Sequence, residues 1–408
     1  MPELLIPAGS LEVLKTAVRY GADAVYVGGE AFGLRAKAKN LTFDELREAV
    51  SYCHERGKKL YVATNVIAHE GSMNSFRGYL KTIGEIRPDA VIVADPGVFS
   101  VAKELLPPEV AIHISTQANN VNAETFRFWY AQGAERVVCG RELSLEEIRA
   151  IRSRIPDGAE IEAFVHGAMC ISYSGRCLLS AFLTGREANL GACTHPCRWR
   201  YAVVEESRPG QYMPVYEDEG GTYLFNSKDL CMIGHIPELL ASGIDSFKVE
   251  GRMKTALYVA MVTRAYREAI DTCLRDPEEY RASIPQYLAE IRRSAAREYT
   301  TGFFFGRPDR EAQDYEGRSG ERESVYLGTV SDVLSDGTVT FLQKNKFSVG
   351  DTILLMKPDG RNVAAEVLSM WDEDGEPMTS CPHASQIVRM GLNVIPEAGD
   401  IMRMDTDE

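Results

Sequence analysis

From residue 3 to about residue 250 the chain repeats one unit: a short apolar run, a polar turn, then a stretch whose apolar residues recur at helical spacing. The runs are Glu3–Pro7, Ala24–Gly28, Lys59–Thr64, Ala90–Ala94, Ala111–Ser115, Arg136–Cys139, Glu160–Val165 and Ser246–Val249. Their length and β-branched content predict strands. Between them Leu11–Tyr20, Phe43–Arg56, Ser75–Ile86, Ala123–Gln132 and Leu145–Ile155 predict amphipathic helices. Gly21, Gly57, Gly133 and Gly243 stand where helices should stop before the next strand. Strands alternating with helices imply a parallel sheet. Eight of them, at a spacing of roughly 25 residues, predict a closed (β/α)8 barrel of the TIM type. Ala8-Gly9-Ser10 follows the first run, so the G-x-G-x-x-G turn of a dinucleotide-binding sheet is missing.

The rhythm breaks over about 168–222, which reads as a cysteine-rich insertion after the seventh strand, on the face where barrel enzymes keep their chemistry. Thr255–Leu274 and Pro277–Ala296 then predict two long helices. Beyond them Tyr326–Val333, Thr338–Gln343, Asp351–Met356 and Asn362–Met370 alternate apolar with polar residues, separated by glycine-bearing turns. That texture predicts a small antiparallel β-barrel. The expected organisation is a barrel domain over 1–306, a linker over 307–320 and a β-barrel domain over 321–408.

Composition adds constraints. At 408 residues with 45% hydrophobic content, the chain can bury one large core and a small one. No apolar run is long enough for a membrane span, and the first residues lack the basic start and apolar stretch of a signal peptide. The expectation is a cytoplasmic protein with no membrane partner. A net charge of −14 argues against a bulk nucleic-acid binder and against DNA as a partner, while leaving room for RNA held by a local basic patch. The odd count of nine cysteines does not suggest a disulfide framework.

Cys170, Cys177, Cys193 and Cys197 crowd into one segment. Converging thiolates are what an iron–sulfur cluster or a structural zinc requires. Gaps of six, fifteen and three residues differ from paired C-x2-C zinc knuckles, which favours a cluster over zinc or unligated cysteines. Cys231 is an alternative fourth ligand.

Polar residues gather at predicted strand ends: Asn65, Asp95, then His113, Ser115 and Gln117, then Arg141 with Glu142, then Glu162 and His166. Lys248-Val-Glu250-Gly-Arg252 closes the set, with three charged residues at alternating positions. Two cations flanking a carboxylate suit an anionic ligand, and a structural salt-bridge ladder is the alternative reading. Arg176, Arg186, Arg198 and Arg200 make the insertion locally basic, and Trp199 is placed to stack on a base. Solvated arginines over a cluster loop would look the same.

The segment Glu162–Ser180, EAFVHGAMCISYSGRCLLS, resembles the signature of the collagenase-like peptidase family U-thirty-two. Pro7-Ala-Gly9, Gly21-Ala-Asp-Ala-Val-Tyr26, Ser115-Thr-Gln117, Asn226-Ser-Lys-Asp-Leu230, Lys248-Val-Glu-Gly-Arg252 and Lys346-Phe-Ser-Val-Gly-Asp351 extend the resemblance over essentially the full length. It is strongest to the branch that hydroxylates tRNA. The resemblance implies 5-hydroxyuridine formation at the wobble position, with prephenate as oxygen donor and no need for dioxygen. It also implies a [4Fe–4S] cluster on Cys170, Cys177, Cys193 and Cys197. The expected partners are tRNA and a small anionic donor bound by Lys248, Arg252 and His113. Glu162 or His166 would move protons; Glu250, Gln117, Asn65, Arg141, Tyr173 and Arg176 complete the substrate-binding candidates.

Two other classes compete. A collagen-degrading peptidase lacks support from H-E-x-x-H or G-x-S-x-G, neither of which occurs, and would need Cys170 with His166. A non-catalytic, metal-bound scaffold is the third reading.

Overall fold

The structure is a computed structural model. It describes residues 1–29, 40–170, 177–186, 188, 193–199, 202–204, 212–214, 228–294, 297–306, 308, 324–383 and 385–405, with backbone alone for 198, 202–204 and 212–214. Tyr173, Arg176 and Arg200, and the expected linker apart from Pro308, lie outside the described residues, as do the side chain of Arg198 and much of the insertion.

Strands β1 (Glu3–Pro7), β2 (Ala24–Gly28), β3 (Lys59–Ala63), β4 (Ala90–Val93), β5 (Ala111–Ile114), β6 (Arg136–Val138) and β7 (Glu160–Gly167) pair in parallel in chain order. After a short hairpin, β8 (Ala202–Val204) with β9 (Tyr212–Pro214), and β10 (Asp229–Cys231), the chain enters β11 (Ser246–Val249). This strand pairs with both β7 and β1 and closes an eight-stranded barrel. Strand β10 adds antiparallel to β7 outside the barrel, and β12 (Tyr299–Thr300) extends that edge. The expected TIM-type barrel is therefore present, with strand limits within two residues of those read from the pattern.

Helices α1 (Leu11–Arg19), α2 (Phe43–His54), α3 (Met73–Ile86), α4 (Pro96–Leu105), α5 (Ala123–Gln132) and α6 (Leu145–Arg152) cover the outside. After α7 (Leu179–Thr184) in the insertion, α8 (Ile236–Ala241), α9 (Ala256–Arg275) and α10 (Pro277–Arg292) complete the set. Their starts are written locally. Ser10, Thr42, Asn122, Ser144 and Thr255 each accept an amide hydrogen from the first turn of the following helix. Asp95, grouped above with the mouth residues, does the same for α4, bonding the Val98 amide at 3.0 Å. At the end of α5, Gly133 takes φ of 99°, a conformation that stops the helix at little steric cost.

The C-terminal strands β13 (Ser324–Val333), β14 (Val339–Leu342), β15 (Thr352–Met356), β16 (Asn362–Trp371), β17 (Pro377–Met378), β18 (Ile387–Leu392) and β19 (Ile401–Asp405) form an antiparallel sheet. Pairing of β15 with both β16 and β19 closes six of them into a barrel around Leu327, Phe341, Ile353, Val367 and Met402. The small barrel docks on α1 and α9. Tyr20 donates to the Met356 carbonyl at 2.5 Å and accepts from the Ile401 amide at 3.1 Å. Arg19 reaches Asp400 at 3.0 Å, and Arg264 donates to the Lys357 carbonyl at 2.9 Å.

Candidate active site

The barrel interior is polar in two layers. In the lower one Arg136, at the start of β6, meets Glu3 at 2.5 Å, Glu160 at 2.6 Å and Glu162 at 3.1 Å. Lys248 reaches the same Glu162 at 2.6 Å. Desolvation raises the cost of a carboxylate here, but Lys248 and Arg136 outweigh it and hold Glu162 down at about 2. Burial pushes the Lys248 ammonium below its ordinary value, opposed by Glu162. His113 belongs to this layer too. It packs edge-on against Tyr61 and faces Glu135 at 3.7 Å, and burial lowers its pKa. Glu162 and His113 thus lie beneath the barrel mouth, outside the lining of its cavity.

His166 takes a third position. Lys248 pairs with Phe164 and Val249 with His166, so β7 carries an extra residue, Val165, between them. The bulge reverses the alternation that would have aimed His166 inward with Glu162 and Phe164. Its ring sits instead among Tyr258, Tyr266 and Tyr299, with Nδ1 3.4 Å from the Tyr266 hydroxyl. Burial drives its pKa to about 3, keeping the imidazole neutral. Among the described residues, Nε2 has no hydrogen-bond partner and no hydrogen bond joins His166 to the exposed Cys170.

At the C-terminal mouth lies a cavity of ≈ 440 Å³. Tyr26 and Phe164 line it, together with Asn65, Ser115 and Gln117, which are presented by the ends of β3 and β5. Gln117, assigned to strand five by pattern, sits on a 3-10 turn just beyond it. That turn is pinned to β6, because Thr116 bonds the Cys139 carbonyl and Asn120 bonds the carbonyls of Ser115 and Val138. Asn65 donates to the Ser115 hydroxyl at 3.3 Å. Arg141 stacks over Phe164 at 4.0 Å and donates to the Ala168 carbonyl at 2.6 Å, tying the root of the insertion to the barrel.

The segment Glu250-Gly251-Arg252 enters this mouth through close backbone contacts. A Cβ on Gly9 would lie 2.2 Å from the Arg252 carbonyl oxygen, and one on Gly167 would lie 2.5 Å from the Glu250 carbonyl oxygen. A Cβ on Gly28 would sit 2.7 Å from an Arg252 guanidinium nitrogen. Three glycines thus shape the seat of Arg252. Tyr26 bonds the Val249 carbonyl at 2.9 Å and the Glu250 carboxylate at 3.2 Å.

Cys170, Cys177, Cys193 and Cys197 line this same cavity. The Cys193 turn is held by Ser180, whose hydroxyl accepts from the Thr194 amide at 3.1 Å, and the His195 amide faces the Cys193 sulfur at 3.4 Å. The alternative ligand, Cys231, is buried behind the mouth beside Tyr266, away from the cavity lining, and burial pushes its thiol up to about 11. Among the described residues, no three His, Cys, Asp or Glu side chains are gathered closely enough to hold a metal ion as they stand.

The structure therefore brings together Asn65, Gln117, Arg141, Lys248, Glu250, Arg252 and the four cysteines. The pattern reading missed Asp229, Lys254 and Arg297, which also line the cavity and, among the described residues, give it five cationic side chains against two carboxylates. Asp229 lies within the Asn226–Leu230 motif, a signal that was available; Lys254 and Arg297 had none.

Two family models cover this architecture. Residues 9–314 match "Peptidase family U32" and residues 322–403 match "Peptidase family U32 C-terminal domain". The chain belongs to peptidase family U32. Its U32 relatives include "tRNA hydroxylation protein P1" of Bacillus subtilis, 39% identical over 98% of this chain and 94% of that protein. "tRNA hydroxylation protein P" of Escherichia coli is 38% identical over 93% and 91%. A "Collagenase" of Porphyromonas gingivalis is 31% identical over 87% and 86%. No helix among the described residues is long and apolar enough to cross a membrane.

Proposed function

We propose that this U32 protein is a cytoplasmic tRNA-modifying enzyme that converts the wobble uridine to 5-hydroxyuridine, using prephenate as the oxygen source without dioxygen. What carries the reading is the near end-to-end similarity to two tRNA hydroxylation proteins. The cysteine-ringed cationic cavity at the barrel mouth supports it. Replacing C5–H by C5–OH inserts one oxygen atom and oxidises the base by two electrons, so the donor must deliver the oxygen and accept those electrons.

Four cysteines lining one cavity are the donor set that thiolate-bound centres use, so by their chemistry they suit a [4Fe–4S] cluster, which would draw Cys170, Cys177, Cys193 and Cys197 closer together than they now stand. Bound there, it would supply one-electron redox and Lewis-acid chemistry. Arg252, Lys254 and Arg297 gather donor carboxylates by charge-assisted hydrogen bonds. Asn65, Ser115 and Gln117 offer donors and acceptors matched to a uracil edge. Arg186 and the exposed Trp199, carried by the cysteine-rich insertion, would be its contacts to RNA.

The test is anaerobic purification followed by nucleoside mass spectrometry. A brown protein with acid-labile sulfide that forms 5-hydroxyuridine on tRNA when given prephenate is expected. A colourless zinc protein, or tRNA left unchanged, overturns the reading. The collagenase relative favours a peptidase as the second reading. His166, however, is enclosed by tyrosines and, among the described residues, makes no hydrogen bond to Cys170, which speaks against that dyad.

A further inference from the structure

Lys248 is poorly explained as a simple anion-binding cation. Its ammonium is buried and sits over the rings of Tyr26 at 4.4 Å and Phe164 at 5.4 Å, the aromatic floor of the mouth cavity. Lys248 lines that cavity, yet its ion pair points away from it, down to Glu162 at 2.6 Å. A lysine that only bound carboxylates would gain little from a carboxylate already in place. An amine with a proton acceptor behind it and an apolar floor around it has the requirements of a carbonyl-capturing nucleophile. Arg252 and Lys254 line the same cavity and suit a carboxylate on that carbonyl compound.

We propose that Lys248 captures an α-keto acid as a protonated imine. Glu162 takes a proton from the ammonium, and the freed amine attacks the keto carbon. The nitrogen then passes a second proton to the carbinolamine oxygen, Glu162 returns the first, and the oxygen leaves with both as water. Overall, an ammonium and a ketone give an iminium ion and water, with no oxidant or reductant required. Charge is conserved: the Lys248 nitrogen stays cationic beside an ionised Glu162, so the buried pair with Arg136 behind it is not disrupted. Burial and the ion pair set opposing demands on the Lys248 proton, which Glu162 resolves by holding it only during the step. The inference rests on the proposed hydroxylase reading insofar as prephenate carries a pyruvyl ketone beside a carboxylate. It names how that part of the donor would be held.

The experiment uses the full-length protein with pyruvate and phenylpyruvate as probes and sodium borohydride as trap. Peptide mass spectrometry should find one borohydride-dependent adduct, equal to the keto acid less water plus two hydrogens, on Lys248. Lys248→Arg, which keeps the charge beside Glu162, should abolish it while melting cooperatively. Glu162→Gln should slow trapping by about 100-fold, the scale of a lost general base, with the adduct still on Lys248. No adduct in the wild-type protein, or one that persists in Lys248→Arg or spreads over surface lysines, overturns the imine. Trapping without tRNA hydroxylation would retain the imine and defeat the hydroxylase reading; hydroxylation without trapping would do the reverse.

Discussion

Gly9→Ala is the sharpest test of how the mouth is built. The added methyl would lie 2.2 Å from the Arg252 carbonyl oxygen, where ordinary contact begins near 3.4 Å. The oxygen belongs to backbone, so no side-chain rotation relieves the clash; either β1's exit or the 250–252 turn must move by about 1 Å. Overpacking of this kind costs about 1–3 kcal/mol. A displacement of that size at the seat of Arg252 should lower turnover by about 100-fold. Gly78→Ala is the control. It lies exposed inside α3 with nothing within 4 Å of its Cβ, so it should stabilise the fold by about 0.5–1 kcal/mol through helix propensity. Urea unfolding at constant slope measures both, and nucleoside mass spectrometry measures turnover. If Gly9→Ala matched the wild type in stability and turnover, the glycine-shaped seat would be refuted.

Other outcomes follow from the same structure. Below pH 6.5 an unfolded chain protonates His166, whereas the folded protein resists until about 3, so stability should fall with falling pH across that window. The slope from this residue is about 1.4 kcal/mol per pH unit, and His166→Phe should flatten the measured profile there. Glu162→Gln leaves Lys248 without its carboxylate and should cost about 3–5 kcal/mol in urea unfolding. Tyr20→Phe strips a partner from the Met356 carbonyl and the Ile401 amide. It should cost about 1–3 kcal/mol and split the calorimetric transition as the small barrel loosens. Serine at Cys170, Cys177, Cys193 or Cys197 should remove visible absorbance and sulfide, while Cys231→Ala should keep both.

The barrel was legible because its signals are local. Each strand of β1–β7 is a short apolar run, and five helices begin at Ser, Thr or Asn caps. Helix α4 was missed, since its Asp95 cap reads as a strand-end polar residue and Pro96 looks like a breaker when it is in fact the first helical position. In the small barrel β18 and β19 were missed: alternation there is blurred by Arg389 and Arg403, whose charges are met by Asp336 on one side and Glu290 on the other.

The sequence alone determined the α/β barrel, the antiparallel C-terminal barrel and the grouping of four cysteines, because periodicity, caps and spacing act between neighbours along the chain. Tertiary structure decided which polar residues share a surface. One extra residue in β7 turned His166 away from Glu162, and the path of β11 drove Lys248 down onto that carboxylate. Gly9, Gly28 and Gly167 acquired their purpose only when distant backbone arrived against them. Such contacts depend on register and on closure of the barrel, which no local pattern encodes.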